Sequence, residues 1–157
     1  MKRQMKVLLA LLVLTTGAGT VPAAADIVEA TKSHALAAAA FFRANGFEAS
    51  RTAFNDPKSK TWTPDLYNLH IGGMSANGNC WADGGFPELV DVDFRTLSDL
   101  AGVPFGKEVI EKTPKWPEGL TVTLQFLNPR TKKAATSHGY CVRPDANNIL
   151  CGWSETD

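Results

Sequence analysis

The sequence predicts an α+β domain, in which a long N-terminal helix and a helical crossing segment accompany a five-stranded antiparallel sheet. Three observations carry this reading. Asp26 to Asn45 is alanine-rich and free of Gly and Pro, the composition of a strong helix. Asn77-Gly78 and the stretch Arg143 to Asn148 supply hairpin chemistry between segments of strand character. The strands fall into two groups on either side of a helical stretch instead of alternating with helices, which favours an antiparallel sheet with helices kept to one face or end.

The chain opens with a stretch that reads as a leader. Lys2, Arg3 and Lys6 form a basic start, Val7 to Val13 is an unbroken apolar run, and Ala23-Ala24-Ala25 follows Pro22 as a small-residue cleavage site. The apolar run is well short of the roughly 20 residues a spanning helix needs. The expected organisation is therefore a signal peptide over 1–25, cleaved after Ala25, and one domain over 26–157. Of 157 residues, 132 then remain, one domain's worth of chain. The leader takes three of the 16 basic residues and none of the 16 acids, leaving 13 against 16 and a net charge of −3 with neutral histidines. That balance argues against nucleic acid, whose binding needs clustered Lys and Arg. No later segment is apolar enough to span a bilayer, so the mature chain is expected in the periplasm or the medium without a transmembrane segment.

In the helical region Ile27, Ala30, Ala37, Ala38 and Phe41 recur at helical spacing, and Gly46 stands where a C-terminal cap belongs. A second short helix is predicted from Glu48 to Phe54, ending before Asn55-Asp56-Pro57. Leu66 to Ile71 reads as a strand, Gly72 to Asn79 as a turn, and Cys80 to Ala82 as the partner strand. Gly84 to Leu97 looks irregular, and Phe105 to Lys112 reads as a helix closed by Pro114. Leu120 to Leu127, Ala135 to Val142 and Asn148 to Trp153 complete the sheet as a meander.

Three cysteines remain after the leader: Cys80, Cys141 and Cys151. In an oxidising compartment an odd number leaves one over. A hairpin centred on Ala146 sets Cys141 opposite Cys151, near disulfide reach. The expected bridge is Cys141–Cys151 with Cys80 free; the competing reading keeps all three as buried thiols.

Specific residues then point to a family. Phe42-Arg43-Ala44-Asn45-Gly46 and Ala53-Phe54-Asn55-Asp56-Pro57-Lys58 resemble the opening of bacterial single Cache domains, which are PAS-like extracellular sensor modules. Asp65-Leu66-Tyr67 resembles the family's first strand. Asn77-Gly78-Asn79-Cys80-Trp81-Ala82-Asp83-Gly84 is similar to its second, which runs Asn-Gly-x-x-Leu-Ala-His-Gly. Pro87-Glu88-Leu89-Val90, Gly102-Val103-Pro104-Phe105 and Lys107-Glu108-Val109-Ile110 fit the segment that crosses the ligand pocket. Asn128-Pro129-x-Thr131-x-Lys133 and Tyr140-x-Val142 fit the last hairpins. The likeness is collinear over nearly the whole mature chain.

The resemblance implies a domain enclosing a small molecule between the sheet and its crossing segment, and a stand-alone copy that binds this molecule for sensing or for delivery. A membrane receptor or another periplasmic protein is the partner such a copy implies. Family position and side-chain type give Tyr67, Trp81, Phe105, Phe126, Ser137, His138 and Tyr140 as the expected ligand-binding residues. Many relatives carry a lysine where Ser137 stands and a histidine where Asp83 stands, so a neutral or cationic ligand fits better than a plain carboxylate.

Other chemistries find no signature. His34, His70 and His138 are far apart, with no paired-cysteine zinc spacing and no haem attachment motif, so neither a metal nor a cofactor is expected. Ser75 and Ser137 lack nucleophile-elbow glycines, and Cys80 has no local base, so no enzyme is expected. The alternative is a protein-interaction module with a filled pocket, in which Trp62, Trp116 and Trp153 serve as interface anchors.

Overall fold

A computed structural model of the chain describes residues 24–128 and 131–156. The expected leader lies outside the described residues, apart from Ala24 and Ala25. Within them the order is a helix α1 (Ala24–Phe54), strands β1 (His70–Ser75) and β2 (Cys80–Asp83), helix α2 (Phe105–Lys112), and strands β3 (Leu120–Leu127), β4 (Ala134–Val142) and β5 (Asn148–Thr156). All strand pairs are antiparallel and the spatial order is β2-β1-β5-β4-β3. No described helix is long and apolar enough to cross a membrane.

The two helices expected over Asp26–Asn45 and Glu48–Phe54 are both present within α1, which breaks between them at Gly46, whose φ of 80° lies in the left-handed region that glycine enters without penalty. The face of α1 that meets the sheet carries Ala35, Ala38, Ala39 and Phe42, small residues that let the helix lie close. Trp81 anchors it: its ring sits 4.9 Å from Phe47, 6.1 Å from Phe42 and 6.3 Å from Phe54, centroid to centroid. Each such buried apolar side chain contributes on the order of 2 kcal/mol.

The first strand lies four residues later than the sequence suggests. Leu66–Asn68 forms a 3-10 turn instead, and Gly72 and Gly73 are strand residues. Their glycines answer to crowding from outside the local sequence. A Cβ on Gly72 would fall 2.9 Å from Trp153 Nε1, and one on Gly73 would fall 2.7 Å from the Trp81 ring. The turn itself is short, closed by Ser75 N–H donating to Asn79 O at 2.9 Å around Asn77-Gly78. By contrast α2 and β3 have the bounds read from the sequence, and β5 runs on to Thr156.

Between β2 and β3 the chain crosses the sheet face opposite α1. Two 3-10 turns (Pro87–Leu89 and Phe94–Thr96) and α2 carry it across. Phe94, Val109 and Ile110 pack from this segment onto Met74, Leu124, Ile149 and Trp153. The sheet is thus covered on both faces, and the two faces differ: the α1 side is packed, while the crossing side holds a hollow.

Candidate ligand cavity

Strand alternation decides which side chains reach that hollow. His70 and Gly72 of β1 pair with Trp153 and Cys151 of β5, and Ser137 and Gly139 of β4 pair with Glu155 and Trp153. These residues share the crossing face. Trp153 forms its floor. Its indole lies across β5 with Nε1 over Gly72 on one side and the six-membered ring over Gly139 on the other, where a Cβ would come within 2.3 Å.

Above this floor lies a cavity of about 80 Å³. Phe86, Leu89, Phe94, Leu97 and Phe105 from the crossing segment form its roof, and Leu124 and Phe126 of β3 close one side. Phe86, Leu89, Leu97, Phe105 and Phe126 also border an outer cleft of about 370 Å³, whose rim is formed by Glu88, Ser98, Asp99, Leu100 and Leu127. The two spaces therefore share an apolar wall. Together the two spaces fall in the range of small-ligand sites.

The polar side chains of the inner cavity are few: His70, Asp83 and Ser137. His70 and Asp83 are both buried, with Nε2 3.8 Å from Oδ1. The other ring nitrogen, Nδ1, lies 3.0 Å from the carbonyl of Asn68; an acceptor there fixes the hydrogen on Nδ1. Asp83 Oδ1 accepts from the N–H groups of Gly85 (3.0 Å) and Phe86 (2.7 Å), which holds the turn that aims Phe86 at the cavity. Ser137 Oγ donates to the Ser154 carbonyl at 3.3 Å, so its lone pairs remain to accept. Asn128 Nδ2 donates to Glu155 Oε2 at 3.1 Å, tying the β3 end to β5.

Of the residues expected at the site from sequence, the structure brings together Phe105, Phe126 and Ser137. Trp81 and Tyr140 stand on the α1 face, in the core beneath that helix. His138 follows Ser137 directly in β4, so alternation turns it to the same face as Tyr140, where its Nδ1 is 3.4 Å from Thr123 Oγ1. Tyr67 sits half-buried in the 3-10 turn before β1 with φ 55°. Trp153, read alternatively as an interface anchor, is 5% exposed under the cavity; Trp62 packs on Phe41 and Phe54, and Trp116 is half exposed. Sequence reasoning passed over His70, Phe86, Phe94 and Trp153. The one local signal for Trp153 was its alternation with Cys151 in β5; the glycines that make room for it are in other strands.

Among the described residues no group of three His, Cys, Asp or Glu side chains is placed to hold a metal ion. Cys141 and Cys151 are joined as a disulfide, and Cys80 is a buried free thiol.

No family model matches the sequence, and no curated protein matches it. Solved structures do. A methyl-accepting chemotaxis protein from Vibrio parahaemolyticus RIMD 2210633 is similar at 12% identity and a TM-score of 0.60, over 82% of this chain and 86% of that one. A periplasmic sensor domain of a chemotaxis protein is similar at 11% identity and a TM-score of 0.60, over 85% and 92%. A Cache chemosensory domain, described for carboxylic acid recognition, is similar at 14% identity and a TM-score of 0.56, over 85% and 90%. The chain has the fold of these Cache sensor domains.

Proposed function

We propose that this Cache-fold chain is an exported domain that binds a small organic molecule between its sheet and crossing segment, for sensing or for delivery to a partner. One observation carries the reading: a ring-lined inner cavity with three polar side chains lies beside a larger cleft and shares five of its apolar lining residues. A packed core has no use for such a space, because each unfilled volume forfeits dispersion contacts. Phe105, Phe126 and Ser137, with His70, Asp83, Phe86 and Trp153, form the binding set we assign. Tyr67, Trp81, His138 and Tyr140 are not part of it. No residue is assigned a catalytic role.

Residues 1–25 act, in this proposal, as a leader that places the domain in the periplasm or outside the cell. N-terminal sequencing of the protein from a periplasmic extract is expected to begin at Asp26. Binding is tested by mass spectrometry of small molecules carried through native purification, followed by thermal shifts with the compounds found. A ligand at 100 times its dissociation constant adds about 2.7 kcal/mol, a rise of several degrees for a domain this size. A protein that carries nothing and responds to no member of a broad metabolite panel would speak for the interaction-module alternative.

A further inference from the structure

Rings and carboxylates together make up the walls of the inner cavity and the outer cleft. Phe86, Phe94, Phe105, Phe126 and Trp153 line the cavity. Phe105 stands nearly perpendicular to Phe94, at 88°, and to Trp153, at 81°, and Phe86 meets Phe126 at 75°. Rings set near right angles enclose a space as a box does, and a cation within about 6 Å of a ring centroid is attracted by each face it meets. The charged groups favour the same kind of guest. Asp83 lines the cavity, and Glu88 and Asp99 stand on the rim of the outer cleft. Among the described residues that line either space there is no Lys or Arg. His70 is the one wall residue able to carry positive charge; its Nε2 lies 3.8 Å from Asp83 Oδ1, and its Nδ1 serves the Asn68 carbonyl. With His70 protonated, carboxylates still outnumber cations on the two walls by three to one.

We infer that the bound molecule is a small organic cation with a methylated ammonium head, held among the rings beside Asp83. This inference rests on the binding reading above and narrows it by charge. An anion would enter walls that offer it no Lys or Arg and that carry carboxylates in both spaces, where like charges brought together cost several kcal/mol. An uncharged guest of the same shape fills the space and gains nothing from Asp83 or from the ring quadrupoles. Methylation follows from the polar groups of the cavity. His70, Asp83 and Ser137 each already make hydrogen bonds within the protein: His70 with the Asn68 carbonyl, Asp83 with the N–H groups of Gly85 and Phe86, and Ser137 with the Ser154 carbonyl. A primary ammonium brings three N–H donors that each need an acceptor, and leaving one unmet in a ring-lined space is costly. A trimethylammonium head has no such donor, and its charge reaches the rings through methyl groups. Outside, Glu88 and Asp99 draw cations toward the cleft.

The test uses protein expressed from the full-length chain and three probes that share one branched head: choline, 3,3-dimethylbutan-1-ol and 3,3-dimethylbutanoate. They are cationic, neutral and anionic, and each is followed by calorimetric titration and thermal shift. Choline is expected to bind about tenfold or more tightly than the alcohol, the scale of cation–π attraction in a dry site, and the butanoate is expected not to bind. Asp83→Asn keeps an oxygen for the Gly85 and Phe86 N–H groups and removes the charge. It is expected to weaken choline about tenfold and to leave the alcohol within a factor of two. Phe126→Leu keeps an apolar wall without the ring and is expected to act in the same selective way. Glu88→Gln, at an exposed position that does not threaten the fold, is expected to weaken choline two- to threefold at low salt and not at high salt. Equal losses for choline and the alcohol in both cavity variants would mean packing alone, and would overturn the inference. So would binding of the alcohol or the butanoate as tight as that of choline, which leaves the binding reading standing. Silence from all three probes while native purification yields an uncharged or anionic molecule would overturn it too. Silence from every compound tried would remove both readings.

Discussion

Cys141 and Cys151 stand directly opposite each other in β4 and β5, with Cα atoms 4.0 Å apart, and their disulfide lies on the cavity side of the sheet. The bridge fixes the register of the two strands that carry Ser137 and Trp153. It closes a loop with a sequence separation of 10, for which the chain-entropy account gives about 2.5–3 kcal/mol. Replacing both cysteines by alanine is expected to lower stability by about that amount in chemical denaturation, and reductant is expected to lower the parent's melting temperature but not the variant's. An unchanged denaturation midpoint would mean that the β4–β5 hairpin holds its register without the bond.

Cys80 behaves differently. Its thiol is buried, with Sγ 3.4 Å from the Ala82 carbonyl, and burial, reinforced by the negative charge of Asp83, pushes its pKa up to about 12. The thiolate is the reactive form, so the native protein is expected to leave an aromatic disulfide reagent unreduced at pH 8 and to react with one equivalent once unfolded. The folded thiol ionises later than the unfolded one, whose value is near 9. Its contribution to stability is therefore intact below pH 9 and is lost as pH rises toward 12. Cys80→Ala is expected to flatten that alkaline decline, and a parallel decline in parent and variant would assign it elsewhere.

Much of the fold was legible because the relevant signals were local. Turn chemistry at Asn77-Gly78, the alanine-rich run of α1 ending at Gly46 and the proline that closes α2 act over a few residues, and the structure follows each of them. Gly72-Gly73 read as a turn because paired glycines usually are one. Here they are strand residues crowded by Trp153 and Trp81, one 81 positions away in sequence, and nothing adjacent to them says so. The cavity failed to read out for a related reason. Ser137 and His138 were expected at one site, yet neighbours in a strand face opposite ways. Trp81 and Tyr140 are large aromatics in strands like Trp153, and only the placement of α1 tells which face is full.

His34 ties α1 to the loop before β1, its Nε2 3.1 Å from the Trp62 carbonyl and its ring 5.8 Å from the Trp62 ring. Burial draws its pKa below the usual 6.5; the hydrogen bond to Trp62 opposes this, and the charge on His70 adds to it. A histidine whose folded pKa is depressed binds its proton more readily when unfolded. The stability it contributes is present in full above pH 6.5 and is lost as pH falls below 6.5 through the lowered folded value. Denaturation midpoints measured from pH 8 to pH 5 are expected to drop below pH 6.5 in the parent and to drop less in His34→Gln. Equal slopes in the two proteins would clear His34 of any part in the acid response.

Tyr140 separates the two faces of the sheet experimentally. Its hydroxyl donates to the Glu118 carbonyl, Lys32 Nζ lies 5.7 Å from its ring centroid, and the side chain belongs to the core under α1. Ser137, three residues earlier, faces the cavity. Tyr140→Phe removes one hydrogen bond and keeps the ring, at a cost of about 1 kcal/mol. The variant is expected to be destabilised by that amount while the affinity of any cavity ligand stays within a factor of two. Phe105→Ala, in the cavity roof, is expected to weaken the same ligand by tenfold or more, because it removes a ring from the wall. If Tyr140→Phe instead cost the ligand as much as Phe105→Ala, binding would have to be moved to the α1 face, where the described core is packed against the helix.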